Sequence, residues 1–225
     1  MAGYAVSVGD FNNDGKLDAA VSGTGNTSGV AIMLGNGDGT FTVGESYEVG
    51  EEPESISTGL FTGNKKKIDL AVGNEEGYSI SVLLGNGDGT FQPAVNYDTH
   101  CPGWVIAQDF TGDGKTDIAA ANALFPPGVT VFHGNGDGTF QSGVFYLAGQ
   151  GGNYIASGDF NGDRKPDLVE VDHERGVITT LLNTGVVSFS PTTPLNFKRQ
   201  AVGTTSKAQD VRLTIRARPN SRFSP

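Results

Sequence analysis

The sequence predicts an all-β protein, a β-propeller of four-stranded antiparallel blades, on three observations. With 34 Gly and 10 Pro in 225 residues, the composition suits many short strands and tight turns, and no long run carries the 3.6-residue period of a helix. A period of about 50 residues, the length of one four-stranded meander, runs through the chain. Phe11, Phe61, Phe110 and Phe160 hold one repeat position, and Phe41, Phe91, Phe140 and Phe189 another. Within the period, an Asp- and Asn-rich run is followed at fixed distance by the string GNGDG, at 35–39, 85–89 and 134–138.

The first unit shows how each element arises. Strand A is expected over residues 5–11, then the acidic run. Strand B follows over 17–22, C over 29–34 and D over 40–49. The GNGDG string joins C to D, because Asn-Gly and Asp-Gly tolerate the positive φ of a tight hairpin. Repetition gives blades at about 1–50, 51–99, 100–149 and 150–190. In an up-and-down meander the A–B and C–D turns share one rim, and the B–C and D–A connections share the other. The second rim then carries the B–C segments 23–28, 74–79, 122–127 and 172–175, and the D–A segments 50–54, 98–103 and 149–153. A repeat boundary coincides with the chain start, which leaves no strand over to complete the last blade. An open arc, a fragment or a self-associating half therefore stands beside a closed four-bladed ring.

Residues 191–225 leave the pattern as a short C-terminal extension too small for a core of its own, although 210–217 alternates in places like a strand. This tail holds seven basic residues and one acid. The formal net charge is −10, and residues 1–190 alone carry −16. Such an acidic body repels nucleic acid and attracts cations. Cys101 is the single cysteine, so there is no internal disulfide. No apolar run approaches the roughly 20 residues of a membrane span, and no signal peptide is visible at the N-terminus. The chain is expected to be cytoplasmic or an internal piece of a longer exported one.

The acidic run DFNNDGKLD at 10–18 carries the chemistry. Side-chain oxygens fall at its positions 1, 3, 5 and 9, a glycine at position 6 permits a sharp turn, and position 7 offers a carbonyl. Hard cations such as Ca²⁺ take six to eight oxygens, and a donor set without His or Cys disfavours zinc. The proposed ligands are Asp10, Asn12, Asp14, the Lys16 carbonyl and Asp18. DFTGDGKTD at 109–117 supplies Asp109, Thr111, Asp113, the Lys115 carbonyl and Asp117. DFNGDRKPD at 159–167 supplies Asp159, Asn161, Asp163, the Lys165 carbonyl and Asp167, with Arg164 in place of the turn glycine. The second unit departs: LFTGNKKKID at 60–69 has an apolar first position, one inserted residue and three lysines, so it reads as a loop that holds no ion. About three structural Ca²⁺ sites are expected. Asp38, Asp88 and Asp137 on the same rim read as turn chemistry rather than ligands.

Nothing assembles into a catalytic set. His100, His133 and His173 are dispersed, and His100 and Cys101, as neighbours on a strand, point to opposite faces. The chain is therefore expected not to be an enzyme. On the variable rim, Tyr78, Trp104, Phe125, His173 and Arg175 are the candidate contacts to a protein or carbohydrate ligand, since aromatic rings beside polar groups suit either. Trp104 equally suits a core.

The string GDFNNDGKLD at 9–18 followed by LGNGDGTF at 34–41 resembles the FG-GAP/VCBS-type repeat, the unit of integrin-alpha-like β-propellers and of many bacterial surface proteins. The resemblance covers residues 1–190. It implies Ca²⁺ in the A–B loops, display outside the cell, and adhesion or ligand binding at the face away from the cations. Such modules are sometimes attached to enzymes, so the alternatives are a module of a polysaccharide-acting lyase or hydrolase, or a structural spacer. Four blades are at the low end of the roughly 4–8 found in propellers. PLNF at 194–197 and AVGTT at 201–205 resemble the opening strand of the Ig-like domains that follow such repeats.

Overall fold

The computed structural model describes residues 2–24, 29–122, 126–148, 152–172, 176–185, 189–191 and 195–196. Among these there is no helix, and the strands form four antiparallel sheets, each a meander in sequence order. The first comprises β1 (Ala2–Gly9), β2 (Asp18–Thr24), β3 (Gly29–Gly35) and β4 (Phe41–Glu48). The second comprises β5 (Pro53–Gly59), β6 (Asp69–Asn74), β7 (Ser79–Leu83) and β8 (Val95–Asp98). The third comprises β9 (Pro102–Gln108), β10 (Asp117–Asn122), β11 (Gly128–Phe132) and β12 (Val144–Leu147). The fourth comprises β13 (Tyr154–Gly158), β14 (Asp167–Asp172), β15 (Val177–Asn183) and β16 (Phe189–Pro191), with β17 (Leu195–Asn196) on the same edge of β15. This is the blade-like architecture of a propeller.

Strand alternation explains the stacking. Successive side chains point to opposite faces; the second and third sheets each pack one face on the sheet before and the other on the sheet after, and the first and fourth each pack one face. Between the first and second sheets, Phe11, Val30 and Ile32 meet Leu70, Val72 and Phe91. Between the second and third, Phe61, Ile80 and Val82 meet Val105, Ile118 and Phe140. Between the third and fourth, Phe110, Val129 and Val131 meet Ile155 and Leu168. Every residue of β6 and β10 is buried, because each lies inside a sheet covered on both faces. Extensive strand contacts join first to second, second to third and third to fourth; among the described residues none of like extent joins fourth to first. Among the described residues the four blades follow one another as an open arc.

Two details differ from the sequence reading. Strand A of each blade ends early: β1 stops at Gly9, because the Phe11 amide leaves the ladder for the Asp18 carboxylate. The fourth sheet also extends past residue 190. Phe189–Pro191 covers only Leu181–Asn183 of β15, and Leu195–Asn196 pairs with Val177 and Ile178 further along the same edge. An uncovered edge is a row of unpaired amides and carbonyls, and Leu195–Asn196 covers part of the β15 edge that Phe189–Pro191 leaves open. The stretches 201–205 and 210–217 lie outside the described residues.

One buried acid has no counterpart in the other blades. Glu170 on β14 is 2% exposed. Its Oε1 accepts the Gly152 N–H at 2.7 Å, while Oε2 has no partner. Burial, together with the nearby Asp172 charge, pushes its pKa from 4.5 up to about 7. A raised acid binds more protons folded than unfolded, so its contribution to stability is complete below pH 4.5 and is lost as pH rises through about 7. Glu170→Gln is expected to be more stable than wild type at pH 8, on the order of 3 kcal/mol, and nearly equal to it at pH 4.5. Denaturant titrations at the two pH values check this.

Candidate metal centre: the acidic loops

The three acidic loops fold by one hydrogen-bond pattern. In the first, Asp10 Oδ1 accepts the Asp14 N–H at 3.1 Å and Oδ2 accepts the Gly15 N–H at 2.9 Å. Asn12 Oδ1 accepts the same Asp14 N–H at 3.0 Å, and Asp14 Oδ1 accepts the Lys16 N–H at 2.9 Å. In the third blade, Asp109 accepts Gly112 and Gly114, Thr111 Oγ1 accepts Asp113, and Asp113 accepts Lys115. In the fourth, Asp159 accepts Gly162, Asp163 and Arg164, Asn161 accepts Asp163, and Asp163 accepts Lys165. These amides hold the Asp14, Asp113 and Asp159 carboxyls below the ordinary carboxylate range, with the Lys16, Lys115 and Arg164 N–H groups as the largest causes. All three stay ionised at neutral pH and keep lone pairs for a cation.

The turn itself requires left-handed backbone at position 6: φ is 82° at Gly15, 83° at Gly114 and 67° at Arg164. An L-residue pays for that conformation where glycine does not. Arg164→Gly is therefore expected to stabilise the protein by about 0.5–1 kcal/mol, measured by thermal denaturation in a chelator.

Position 7 does more than offer a carbonyl. Lys16 Nζ lies 3.4 Å from Asp14 Oδ2, Lys115 Nζ 3.3 Å from Asp113 Oδ2, and Lys165 Nζ 3.6 Å from Asp163 Oδ2. Spacing alone gave no sign of this local counter-charge. The pairs are exposed and contribute little to stability.

The ninth-position aspartates are buried and accept backbone amides. Asp18 is fully buried; Oδ2 accepts the Phe11 N–H and Oδ1 the Gly35 N–H, each at 2.8 Å. Asp117 binds Phe110, Thr111 and Gly134, and Asp167 binds Phe160 and Asn183. Asp69, in the blade without the donor set, does the same for Phe61, Thr62 and Gly85. Burial pushes the Asp69 and Asp117 carboxyls up against the opposing pull of these amides. The conserved geometry across all four blades, ligand set or not, makes this residue the pin that ties the A–B loop to the C–D turn on one rim. Among the described residues no trio of carboxylates from one acidic loop lies within 4.8 Å.

The aspartates of the GNGDG turns bond within their own turns. Asp38, Asp88 and Asp137 each accept the N–H and Oγ–H of the Thr two residues on. The second-blade loop lacks carboxylates; there Asn64 Oδ1 accepts the Lys66 N–H. Its Lys66 carbonyl, with that of Gly87, receives Asn13 Nδ2 from the first blade.

On the opposite rim the structure gathers Glu52, Glu54 and Glu75, with oxygens within 4.8 Å of one another. Burial, a hydrogen bond to Glu75, and the Glu75 and Glu52 charges push Glu54 up to about 7. Cys101 Sγ lies 3.5 Å from Glu75 Oε1, and burial with that neighbouring charge pushes its thiol up to about 12. The grouping was legible in principle, because these acids fall in D–A and B–C segments assigned to one rim. Of the candidate ligand contacts, Tyr78 is exposed, and Trp104 packs on the third core with its ring 5.6 Å from that of Tyr154. His100 is exposed and stacks on Phe145 at 5.1 Å, away from the buried Cys101. Phe125, His173 and Arg175 lie outside the described residues.

A family model described as an FG-GAP-like repeat matches residues 64–120 and again 109–170. Each matched stretch runs from one A–B loop into the next, and the two overlap on the acidic loop of the third blade. No curated protein matches the chain.

Proposed function

From the premise that this is an FG-GAP repeat protein, we propose that it is a non-catalytic, calcium-binding repeat module of a surface or secreted protein. The observation that supports it is the recurrence of one oxygen-only donor set, in one turn conformation, on one rim of three blades. The donors fit a hard divalent cation: two carboxylates, an amide or hydroxyl oxygen and a backbone carbonyl per loop, with no nitrogen or sulfur ligand. Asp10, Asn12, Asp14 and the Lys16 carbonyl would hold the ion, as would Asp109, Thr111, Asp113 and the Lys115 carbonyl, and Asp159, Asn161, Asp163 and the Lys165 carbonyl. Asp18, Asp117 and Asp167 enter these sets only through lone pairs their amide partners leave free. Bound calcium would supply charge neutralisation and a crosslink between loop oxygens, moving the formal charge from −10 to −4 with three ions. Calorimetric titration of the metal-free chain is expected to give about three equivalents at 10⁻⁴–10⁻³ M affinity. A flat titration at millimolar calcium would discard the proposal.

Ligand binding belongs to the opposite rim, where loops differ from blade to blade and Tyr78 is exposed. The buried Cys101 thiol on that rim, pushed up to about 12, is a poor nucleophile. Among the described residues no helix is long and apolar enough to cross a membrane. Glycan-array and surface-protein pulldown assays in calcium test this; no binding in either sinks it.

A further inference from the structure

Each internal blade interface uses the same repeat positions, and the two ends of the arc leave both halves of that interface uncovered. Toward the following blade, Phe11, Phe61 and Phe110 are buried, whereas Phe160 at the same position is 46% exposed. Toward the preceding blade, Ile56, Val105 and Ile155 are buried, whereas the equivalent Val6 is 62% exposed. The phenylalanines that follow the GNGDG turns, Phe91 and Phe140, are likewise buried, and Phe41 is 48% exposed.

The internal interfaces also show what is missing at the ends. Phe91 meets Phe11 edge to face at 5.5 Å, and Phe140 meets Phe61 at 5.1 Å. The Gly89 N–H donates to the Phe11 carbonyl at 2.9 Å, and the Gly138 N–H to the Phe61 carbonyl at 3.0 Å. Gly89 lies against Leu34, and Gly138 against Leu84. Gly39 is the corresponding glycine of the first blade and faces open space. Leu182 is the corresponding leucine of the fourth, and is half-buried.

We propose that the chain pairs head to tail with a second copy of itself, the Val6–Phe41 face of one blade stack seating on the Phe160–Leu182 face of the other. The occupant is argued from the faces themselves. They complement each other in the register of the first two interfaces already present, and neither complements itself, so the contact is heterologous. Two copies that satisfy both ends make eight blades, within the roughly 4–8 that close as propellers; a third copy would exceed it. The inference does not depend on calcium, because none of these contacts uses a loop carboxylate.

Sedimentation velocity of the 225-residue chain, in calcium and separately in chelator, tests it. Over two decades of concentration reaching the tens of micromolar, a dimer is expected in both. Phe41→Glu and Phe160→Glu each spoil one face, and each alone is expected to sediment as a folded monomer with unchanged circular dichroism. Mixed in equal amounts they retain one intact pair of faces, so dimer mass is expected to return at the highest concentrations. A wild-type monomer, a dimer indifferent to both substitutions, or a mixture that stays monomeric would each overturn the proposal. Should either glutamate variant misfold, Phe41→Ser and Phe160→Ser read the same outcomes.

Discussion

Asp69→Ala is expected to cost about 3–5 kcal/mol of folding stability, although its loop lacks a calcium donor set. The carboxylate is fully buried and accepts the N–H groups of Phe61, Thr62 and Gly85 at 2.8, 3.2 and 2.9 Å. Truncation leaves three amides without partners, each costing roughly 1–3 kcal/mol when water cannot reach it, and the relieved burial of the acid returns part. Asp69→Asn should recover less than half, because its NH₂ group opposes an amide donor. Denaturant titration in chelator is the measurement. A loss under 1 kcal/mol would show that the A–B loop and C–D turn are not pinned by this residue.

The second large effect is the response to calcium. At 10 mM calcium, sites of 10⁻³–10⁻⁴ M affinity each add about 1.4–2.7 kcal/mol, so three should raise stability by about 4–8 kcal/mol and Tm by more than 10 °C. Asp14→Ala, Asp113→Ala and Asp163→Ala are each expected to remove about one third of that rise while changing the stability in chelator little, since these side chains are exposed and bond only within their own loop. Asp69→Ala separates the two roles, losing stability in chelator and keeping the full calcium increment. Equal melting curves in calcium and chelator would refute the metal reading and leave the pinning role untouched.

The ninth-position aspartate shows where reading the chain as a string reaches its limit. At 10–18 and 109–117, spacing sets Asp18 and Asp117 among the ligands, and nothing in the string reveals that they also accept backbone amides across the blade. Asp69 offered the one clue, because it persists where the other donors are gone. Its partner amide at Gly85 is 16 residues away, so only the folded blade brings the two together.

Local chemistry determined much by itself. The repeat of about 50 residues, the period-2 alternation and the GNGDG hairpins dictate strands, blades and rims, since each depends on neighbours along the chain. The oxygens at loop positions 1, 3 and 5 are equally local. What the tertiary structure alone decided is which identical residues are covered. Phe11 and Phe160 stand in the same strings, yet one is buried and the other open, because burial is a property of the blade alongside and not of the residue. The same holds for the meeting of Glu52, Glu54 and Glu75, and for Leu195–Asn196 joining the fourth sheet. Their partners are fixed by packing across the arc.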